Sequence, residues 1–246
     1  MIAGIFHEGS GLGNQLFRYV ATRVLAKDKG YEWGMLGDFK GKNFMPIDMG
    51  REVVGTDHPF WQEKKVLENG VDIRSYDPEI NFVQDNTIID GELQDSRYFE
   101  HRLDEIDEWL KVEPLSVPDD LCIIGFRGGE YVGVKDLFLP YDYWKASMDY
   151  MRAINPNMRF EVHTDDPVTA SMYFPFECIH DIGLNWRSIR YAKYAIIANS
   201  SFYILPRLLK HNEELTALTL APRFWARRNT GVWALPQNYY QDFSYL

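Results

Sequence analysis

Apolar residues in this chain gather in short unbroken runs, each followed by a glycine-rich or polar loop and then by a segment with helical spacing. Ile2 to Phe6 is the first run. His7 to Gly13 follows as a loop with three glycines, and from Asn14 onward Leu16, Phe17, Val20, Ala21, Val24 and Leu25 share one helical stripe. Cys122 to Gly125 reads as a core strand of a parallel sheet, because such strands are covered on both faces and lose polar alternation. Arg159 to His163 and Tyr194 to Ala198 read as further strands, and Leu215 to Leu220 as the final one. Between them, Tyr141 to Ile154 carries Tyr143, Trp144, Met148, Met151 and Ile154 at helical spacing behind Pro140. The N-S-S-F segment opens another helix through Phe202, Leu205, Leu208 and Leu209. Ile88 and Ile89 end a strand, and His101 to Lys111 is an amphipathic helix with Leu103, Ile106, Trp109 and Leu110 inward. Between Tyr31 and Asp90 the apolar pieces are too short and too often broken by Gly, Pro and Asp to assign elements. Strand, loop, helix repeated in this way predicts an α/β chain with mostly parallel sheets. Pro114, Ser116 and Pro118 mark a linker, which divides the chain into residues 1–116 and 117–246.

Composition narrows the class of partner. The chain has 246 residues, 46% hydrophobic and 15% aromatic, enough for one large core or two smaller ones. A net charge of -10 argues against nucleic acid or an anionic membrane surface as the main partner, since both require a basic face. An anionic ligand must then be met by a few local groups. Cys122 and Cys178 are the two cysteines, each beside apolar or aromatic residues, and read as reduced core thiols rather than a disulfide or a metal site. The apolar start M-I-A-G-I-F is too short for a signal peptide or a membrane span, so a cytoplasmic protein is expected.

The candidate chemistry lies in the loops that follow the strands, where open α/β sheets bind ligands. Arg127, just past the Cys122 run, carries a permanent charge and a planar donor fork suited to phosphate. Gly128 and Gly129 let backbone approach a ligand closely, and Glu130 follows. The plainer alternative is a surface arginine paired with Glu130. Gly9, Gly11 and Gly13 before a helix offer backbone N–H groups to an anion, or simply a flexible turn. Asn14 breaks the G-x-G-x-x-G spacing and weakens a nicotinamide dinucleotide reading. Asp165 and Asp166 at a strand end suit ligand hydroxyls or a base edge, or the capping of a helix that starts at Pro167; with no third ligand near, a metal pair is discounted. Ser200 and Ser201 are natural helix N-caps and also a diphosphate seat. His163 reads as a satisfied strand residue, and the arginines at 223, 227 and 228 as a solvated face.

Six segments, G-L-G-N-Q-L-F-R-Y, L-Q-D-S-R-Y-F-E, F-R-G-G-E-Y, T-D-D-P, I-I-A-N-S-S-F and A-P-R-F-W, occur in the order and approximate spacing of the family 11 glycosyltransferases, the α-1,2-fucosyltransferases. The chain resembles that family over nearly its whole length, most specifically through G-L-G-N-Q and I-I-A-N-S-S-F. Related α-1,6- and protein O-fucosyltransferases share parts of the pattern. The resemblance implies a GT-B-like fold of two Rossmann-like domains, with GDP-fucose as donor and a glycan as acceptor. It also implies inverting transfer without a metal or other cofactor, and a donor seat mainly in residues 117–246. Arg127 corresponds to the arginine that grips the donor β-phosphate, and Asn14, in the loop with Gly11 and Gly13, to an asparagine that contacts the donor. Asp165 or Asp166 would meet the nucleoside, and Asn199, Ser200, Ser201 and Phe202 the diphosphate and its surroundings.

This sequence departs from the family's H-x-R-R-G-D-Y pattern: Gly125 stands for the histidine, Gly128 for the second arginine and Glu130 for the aspartate. Losing a guanidinium from a diphosphate site weakens leaving-group stabilisation by a few kcal/mol, roughly ten- to thousandfold in rate, unless something compensates. The expected reaction is displacement at the fucose anomeric carbon, with Arg127 and the Asn199 to Phe202 helix start stabilising charge on departing GDP. Glu130 is the expected proton acceptor, with Asp136 behind it. Two alternatives stay open: a glycosyltransferase for another nucleotide sugar, and a non-catalytic relative that binds nucleotide or glycan.

Overall fold

The computed structural model describes residues 1–55, 58–68, 71–135, 137–224, 226–227, 233–234 and 240–246. Asp136, Trp225 and Arg228 lie outside them. The chain divides into two compact units, Met1–Lys111 and Val112–Leu246.

The first unit contains β1 (Ile2–Ile5), α1 (Leu12–Lys29), β2 (Trp33–Leu36), β3 (Phe60–Gln62), β4 (Val66–Glu68), β5 (Val71–Ile73), β6 (Thr87–Asp90) and α2 (Leu103–Trp109). Its main sheet has the order β2-β1-β6-β3 with parallel pairing throughout, and β4 and β5 form a separate antiparallel ribbon. Helix α1 begins at Leu12, two residues before the apolar periodicity predicts. Leu12 is itself buried and belongs to the stripe that continues through Leu16, Phe17, Val20 and Val24. Gly13 and Asn14 are therefore first-turn residues of the helix, and Gly11 is its N-cap. Strands β2 and β3 fall where no element was assigned. They are four and three residues long, and Phe60 of β3 is exposed, so neither leaves a readable alternation.

In the second unit follow β7 (Leu121–Phe126), α3 (Tyr141–Ile154), β8 (Arg159–Thr164), α4 (Pro167–Tyr173), β9 (Cys178–Ile179), α5 (Ile182–Tyr191), β10 (Tyr194–Ile197), α6 (Ser201–Glu213), β11 (Leu218–Ala221), β12 (Ala226–Arg227), β13 (Trp233–Ala234) and β14 (Phe243–Tyr245). The main sheet has the order β14-β11-β10-β7-β8-β9, again parallel throughout, and β12 pairs with β13 antiparallel. Strand β7 sits inside the sheet between β8 and β10. Cys122, Ile123, Ile124 and Phe126 are wholly buried there, which is why the run reads as continuously apolar.

Two expectations are corrected in this unit. The final strand is β14, not the Leu215 to Leu220 segment: β11 starts only at Leu218, Leu215 is 95% exposed, and Phe243 of the aromatic tail buries itself against the sheet edge. Ile154, placed inward by spacing, is exposed at the last residue of α3. A buried cation ties the helices to the sheet. The Arg207 guanidinium, on α6, donates to the Ile189 and Ala192 carbonyls at the end of α5 (3.0 and 2.6 Å) and to Thr219 Oγ1 on β11 (2.7 Å). It thereby satisfies carbonyls that the end of α5 leaves without helical partners. Both cysteines are free thiols; Cys122 is buried and Cys178 partly so.

Candidate functional site

Strands β8, β7 and β10 are neighbours in one parallel sheet, so the loops leaving their carboxyl ends are neighbours too. Those loops hold Asp165 and Asp166, Arg127 to Glu130, and Asn199 to Phe202. Of the sequence candidates, all but Gly11, Gly13 and Asn14 thus share one edge of the second unit. Gly11, Gly13 and Asn14 lie in the first unit.

Arg127 leaves β7 with both terminal nitrogens engaged. Nη1 pairs with Asp165 Oδ2 at 2.6 Å and Nη2 with Glu130 Oε1 at 2.8 Å, while the Tyr131 ring lies 5.2 Å from the guanidinium carbon. Nε is buried and makes no hydrogen bond. Burial alone would lower the Arg127 pKa; Asp165 and then Glu130 outweigh it, so the net shift is upward and the charge is permanent. Asp165 also accepts the Gly128 N–H (2.9 Å) and Asp166 the Gly129 N–H (3.2 Å), so the two carboxylates hold the arginine loop by side chain and backbone together. Asp166 is in addition the N-cap of α4, accepting from Thr169 N–H (3.0 Å) and the Thr169 hydroxyl (2.6 Å). These bonds hold its carboxyl below the usual carboxylate range. Of the two roles offered for the Asp165–Asp166 pair, the structure shows the cap, at Asp166; both carboxylates also clamp the arginine loop.

The glycines have a steric cause. A Cβ on Gly125 would lie 2.8 Å from Cε1 of Tyr203, whose buried ring fills the space beside β7 and whose hydroxyl donates to the Phe126 carbonyl at 3.0 Å. A Cβ on Gly128 would lie 2.6 Å from Cβ of Asp166. The positions where the resemblance calls for histidine and a second arginine are already filled by Tyr203 and Asp166.

Across β7, Asn199 is buried and its Nδ2 donates to the Leu137 carbonyl at 2.9 Å, which ties the end of β10 to the chain beyond the Arg127 loop. Ser200 is the N-cap of α6, but its side chain makes no hydrogen bond to the first turn. The positive end of the helix dipole thus meets no cap from the Ser200 side chain. Phe202 packs edge-on against Trp186 (5.9 Å) and Tyr203 (5.3 Å). His163 is a satisfied strand residue: it is buried, with Nδ1 on Asn185 Oδ1 (2.9 Å) and Nε2 on Glu161 Oε1 (2.7 Å).

In the first unit, Asn14 Oδ1 accepts from Gln94 Nε2 at 3.1 Å. A group the sequence reading passed over lies at the same sheet edge: His7 Nε2 meets Asp90 Oδ1 at 2.8 Å, with Arg18 alongside. The available signal was a titratable residue just past each of two apolar runs, Ile2 to Phe6 and Ile88 to Ile89.

No protein-family model and no curated protein matches the chain. Among solved structures it resembles the glycosyl transferase family 9 protein from Veillonella parvula DSM 2008. That match has TM-score 0.50 at 10% identity and covers 100% of this chain and 86% of that one. Also similar are the NodZ α-1,6-fucosyltransferase co-crystallised with GDP (TM-score 0.42, 13% identity, 84% of this chain and 92% of that one) and the E. coli heptosyltransferase WaaC with ADP (TM-score 0.46, 9% identity, 100% and 92%). The fold is α/β and GT-B-like, with two mostly parallel sheets. Among the described residues, no helix is long and apolar enough to cross a membrane.

Proposed function

We propose that the chain is an inverting glycosyltransferase that moves L-fucose from GDP-fucose to a hydroxyl of a glycan acceptor. The observation that carries this reading is Arg127, a permanently charged fork at the carboxyl end of the interior strand β7, beside strand β10, which leads into the start of α6. The fold shared with a glycosyl transferase family 9 structure and the series of family 11-like segments support it. A donor diphosphate would take Arg127 Nη2 from Glu130, an exposed residue whose ion pair is weak, and keep the Asp165 pair that aims the guanidinium. Ser200, Ser201 and Phe202 would supply the helix start, and Asp165 or Asp166 the nucleoside contact. As the bond to the anomeric carbon breaks, its electron pair leaves on the diphosphate, where Arg127 and the α6 N–H groups stabilise it without a metal. Glu130 stays a candidate base, although its carboxylate is engaged with Arg127. We place the activity in the cytoplasm.

Calorimetry with GDP, UDP, ADP and CMP in EDTA, on the parent chain and on Arg127→Ala, tests the proposal. GDP-selective binding that the variant loses is the expected result; absence of nucleotide binding would sink the donor-site assignment. The filling of the Gly125 and Gly128 positions by Tyr203 and Asp166 favours a second reading, a different nucleotide sugar. Preference for UDP, ADP or CMP in the same titrations would select it.

A further inference from the structure

The first unit holds an arginine that no described carboxylate of the chain neutralises. Its arginines are Arg18, Arg23, Arg51, Arg74, Arg97 and Arg102, and all but Arg23 stand within 4.0 Å of an aspartate or glutamate. Arg23 has no such partner among the described residues, in a chain where 36 acidic residues face 26 basic ones and a partner would be easy to supply. Its guanidinium is flanked by aromatic rings instead. The guanidinium carbon lies 4.7 Å from the centre of the Trp33 ring, 4.2 Å from that of Trp109 and 5.8 Å from that of Tyr19. Stacking engages the faces of the ion and leaves its N–H edge. On that edge Nη1 donates to the Tyr19 hydroxyl at 2.5 Å, while Nε and Nη2 meet no acceptor among the described residues and stay open to solvent.

The edge belongs to a cavity of about 210 Å³ lined by Arg23, Lys27, Tyr31, Trp33 and Trp109. The fold builds its walls in advance. Helix α1 ends at Lys29, and Gly30, at φ 67°, turns the chain so that the Tyr31 N–H reaches back to the Ala26 carbonyl at 2.8 Å. Strand β2 then starts at Trp33, whose ring meets the buried Tyr19 ring edge-on at 5.5 Å. Trp109 ends α2, which buried Ile106 and Leu110 anchor. Lys27 is paired with Glu105, which Arg102 also holds, so the acid beside the cavity is committed elsewhere and the Arg23 charge is unmatched. Trp33 pairs with Ile2 at the amino ends of two parallel strands, so the cavity lies at the opposite sheet edge from the Gly11 to Asn14 loop and belongs to no candidate site described above. A cation–π stack explains the two indoles; it explains neither the cavity nor the missing carboxylate. At this size, below the about 300–1,000 Å³ of pockets for drug-sized ligands, the cavity takes one ring-sized group.

We infer that this cavity binds a sugar residue that carries a carboxylate, of the uronic acid class, as a glycan-binding site made entirely by the first unit. The carboxylate oxygens match the planar edge of Arg23, the C–H face of the ring meets the indole walls, and ring hydroxyls reach Lys27 and the Tyr31 hydroxyl. The anion site stands on the geometry alone; the choice of a sugar to carry the charge rests on the glycosyltransferase reading above.

Titration of the full chain with methyl β-D-glucuronide, methyl β-D-glucoside, acetate and inorganic sulfate, followed by NMR of the assigned indole N–H signals, tests the inference. The glucuronide should shift the Trp33 and Trp109 signals and bind about tenfold tighter than the glucoside, acetate or sulfate, with affinity falling as salt rises. Arg23→Met keeps the stacked stem and removes the charge, so it should lose that preference while its calorimetric GDP affinity stays within about twofold of the parent. If that chain does not fold, Arg23→Lys, which keeps the charge without the fork, should weaken glucuronide binding by about threefold or more. Equal affinity for glucuronide and glucoside overturns the inference, as do shifts confined to other indoles or no binding. Acetate or sulfate bound as tightly as the glucuronide overturns the sugar assignment. A parent that binds GDP but not the glucuronide sinks this site alone, and one that binds the glucuronide but no nucleotide supports the site and sinks the glycosyltransferase reading.

Discussion

Gly125→Ala adds one methyl group at the position where the family resemblance calls for histidine, and its cost follows from a single neighbour. The new Cβ would lie 2.8 and 2.9 Å from Cε1 and Cδ1 of Tyr203. That ring has little room to yield, being buried, hydrogen-bonded to the Phe126 carbonyl at 3.0 Å and flanked edge-on by Phe202 at 5.3 Å. Overpacking of this kind costs about 1–3 kcal/mol, and a ring that slides to relieve it gives up a hydrogen bond of about 1 kcal/mol. The lower backbone entropy of alanine in the unfolded chain returns about 0.5 kcal/mol. The net expectation is a loss of about 2–3 kcal/mol, read as a lower urea midpoint at unchanged slope. The decisive measurement is the same change in a Tyr203→Ala chain, or in Tyr203→Val if that chain is too weak to measure. With the ring gone, Gly125→Ala should cost almost nothing, a coupling of about 2 kcal/mol. Equal costs in both backgrounds, with coupling below about 0.5 kcal/mol, would refute the steric account of why this strand carries glycine.

Glu130→Gln removes a carboxylate from Arg127; at about 6 Å in water its repulsion of a bound phosphate charge is about 0.7 kcal/mol, so GDP should bind about threefold tighter by calorimetry. A hundredfold loss of turnover at unchanged GDP affinity would instead make Glu130 the base. Arg207→Met strands the Ile189 and Ala192 carbonyls and the Thr219 hydroxyl in the core and should lower stability by at least about 3 kcal/mol in denaturant titration. A loss below 1 kcal/mol would show that these groups find other partners. Burial, and then the Arg207 charge, hold His211 down to about 4 from an ordinary value near 6.5. The unfolded chain therefore binds the extra proton first, and stability falls as pH drops from about 6.5 to 4, by about 3 kcal/mol at full strength and about 2 kcal/mol once solvent screening is allowed for. His211→Gln should flatten that part of the pH–stability curve.

Much of the architecture was legible because parallel strands buried on both faces must be continuously apolar, and the β7 and β10 runs are. Tyr141 to Ile154 was readable end to end for a related reason: one face of α3 meets the sheet, and Pro140 marks its start. The stretch from Tyr31 to Asp90 was opaque because three- and four-residue strands hold too few positions to show a period. β14 was opaque because two alternating residues in an aromatic tail look like any other surface segment.

The same division runs through the candidate site. The residue types and their order along the chain specified an arginine, two aspartates and a serine helix start in three separate loops after three strands, and with them the expectation of an anionic ligand. Their neighbourhood required the β10-β7-β8 order, since residues 127, 165 and 199 are far apart in sequence and only the sheet register makes their loops adjacent. Why Gly125 and Gly128 are glycine is likewise a tertiary fact, because the atoms that exclude a side chain belong to Tyr203 and Asp166. The His7–Asp90 pair is the furthest from legible: 83 residues separate a histidine from an aspartate that carry no motif, and parallel pairing of β1 with β6 alone makes one the orienting partner of the other. Local pattern decides where strands and helices form, because burial and spacing act over a few residues. Which loops meet, and so which charges face one another, is decided by strand order, which no single segment encodes.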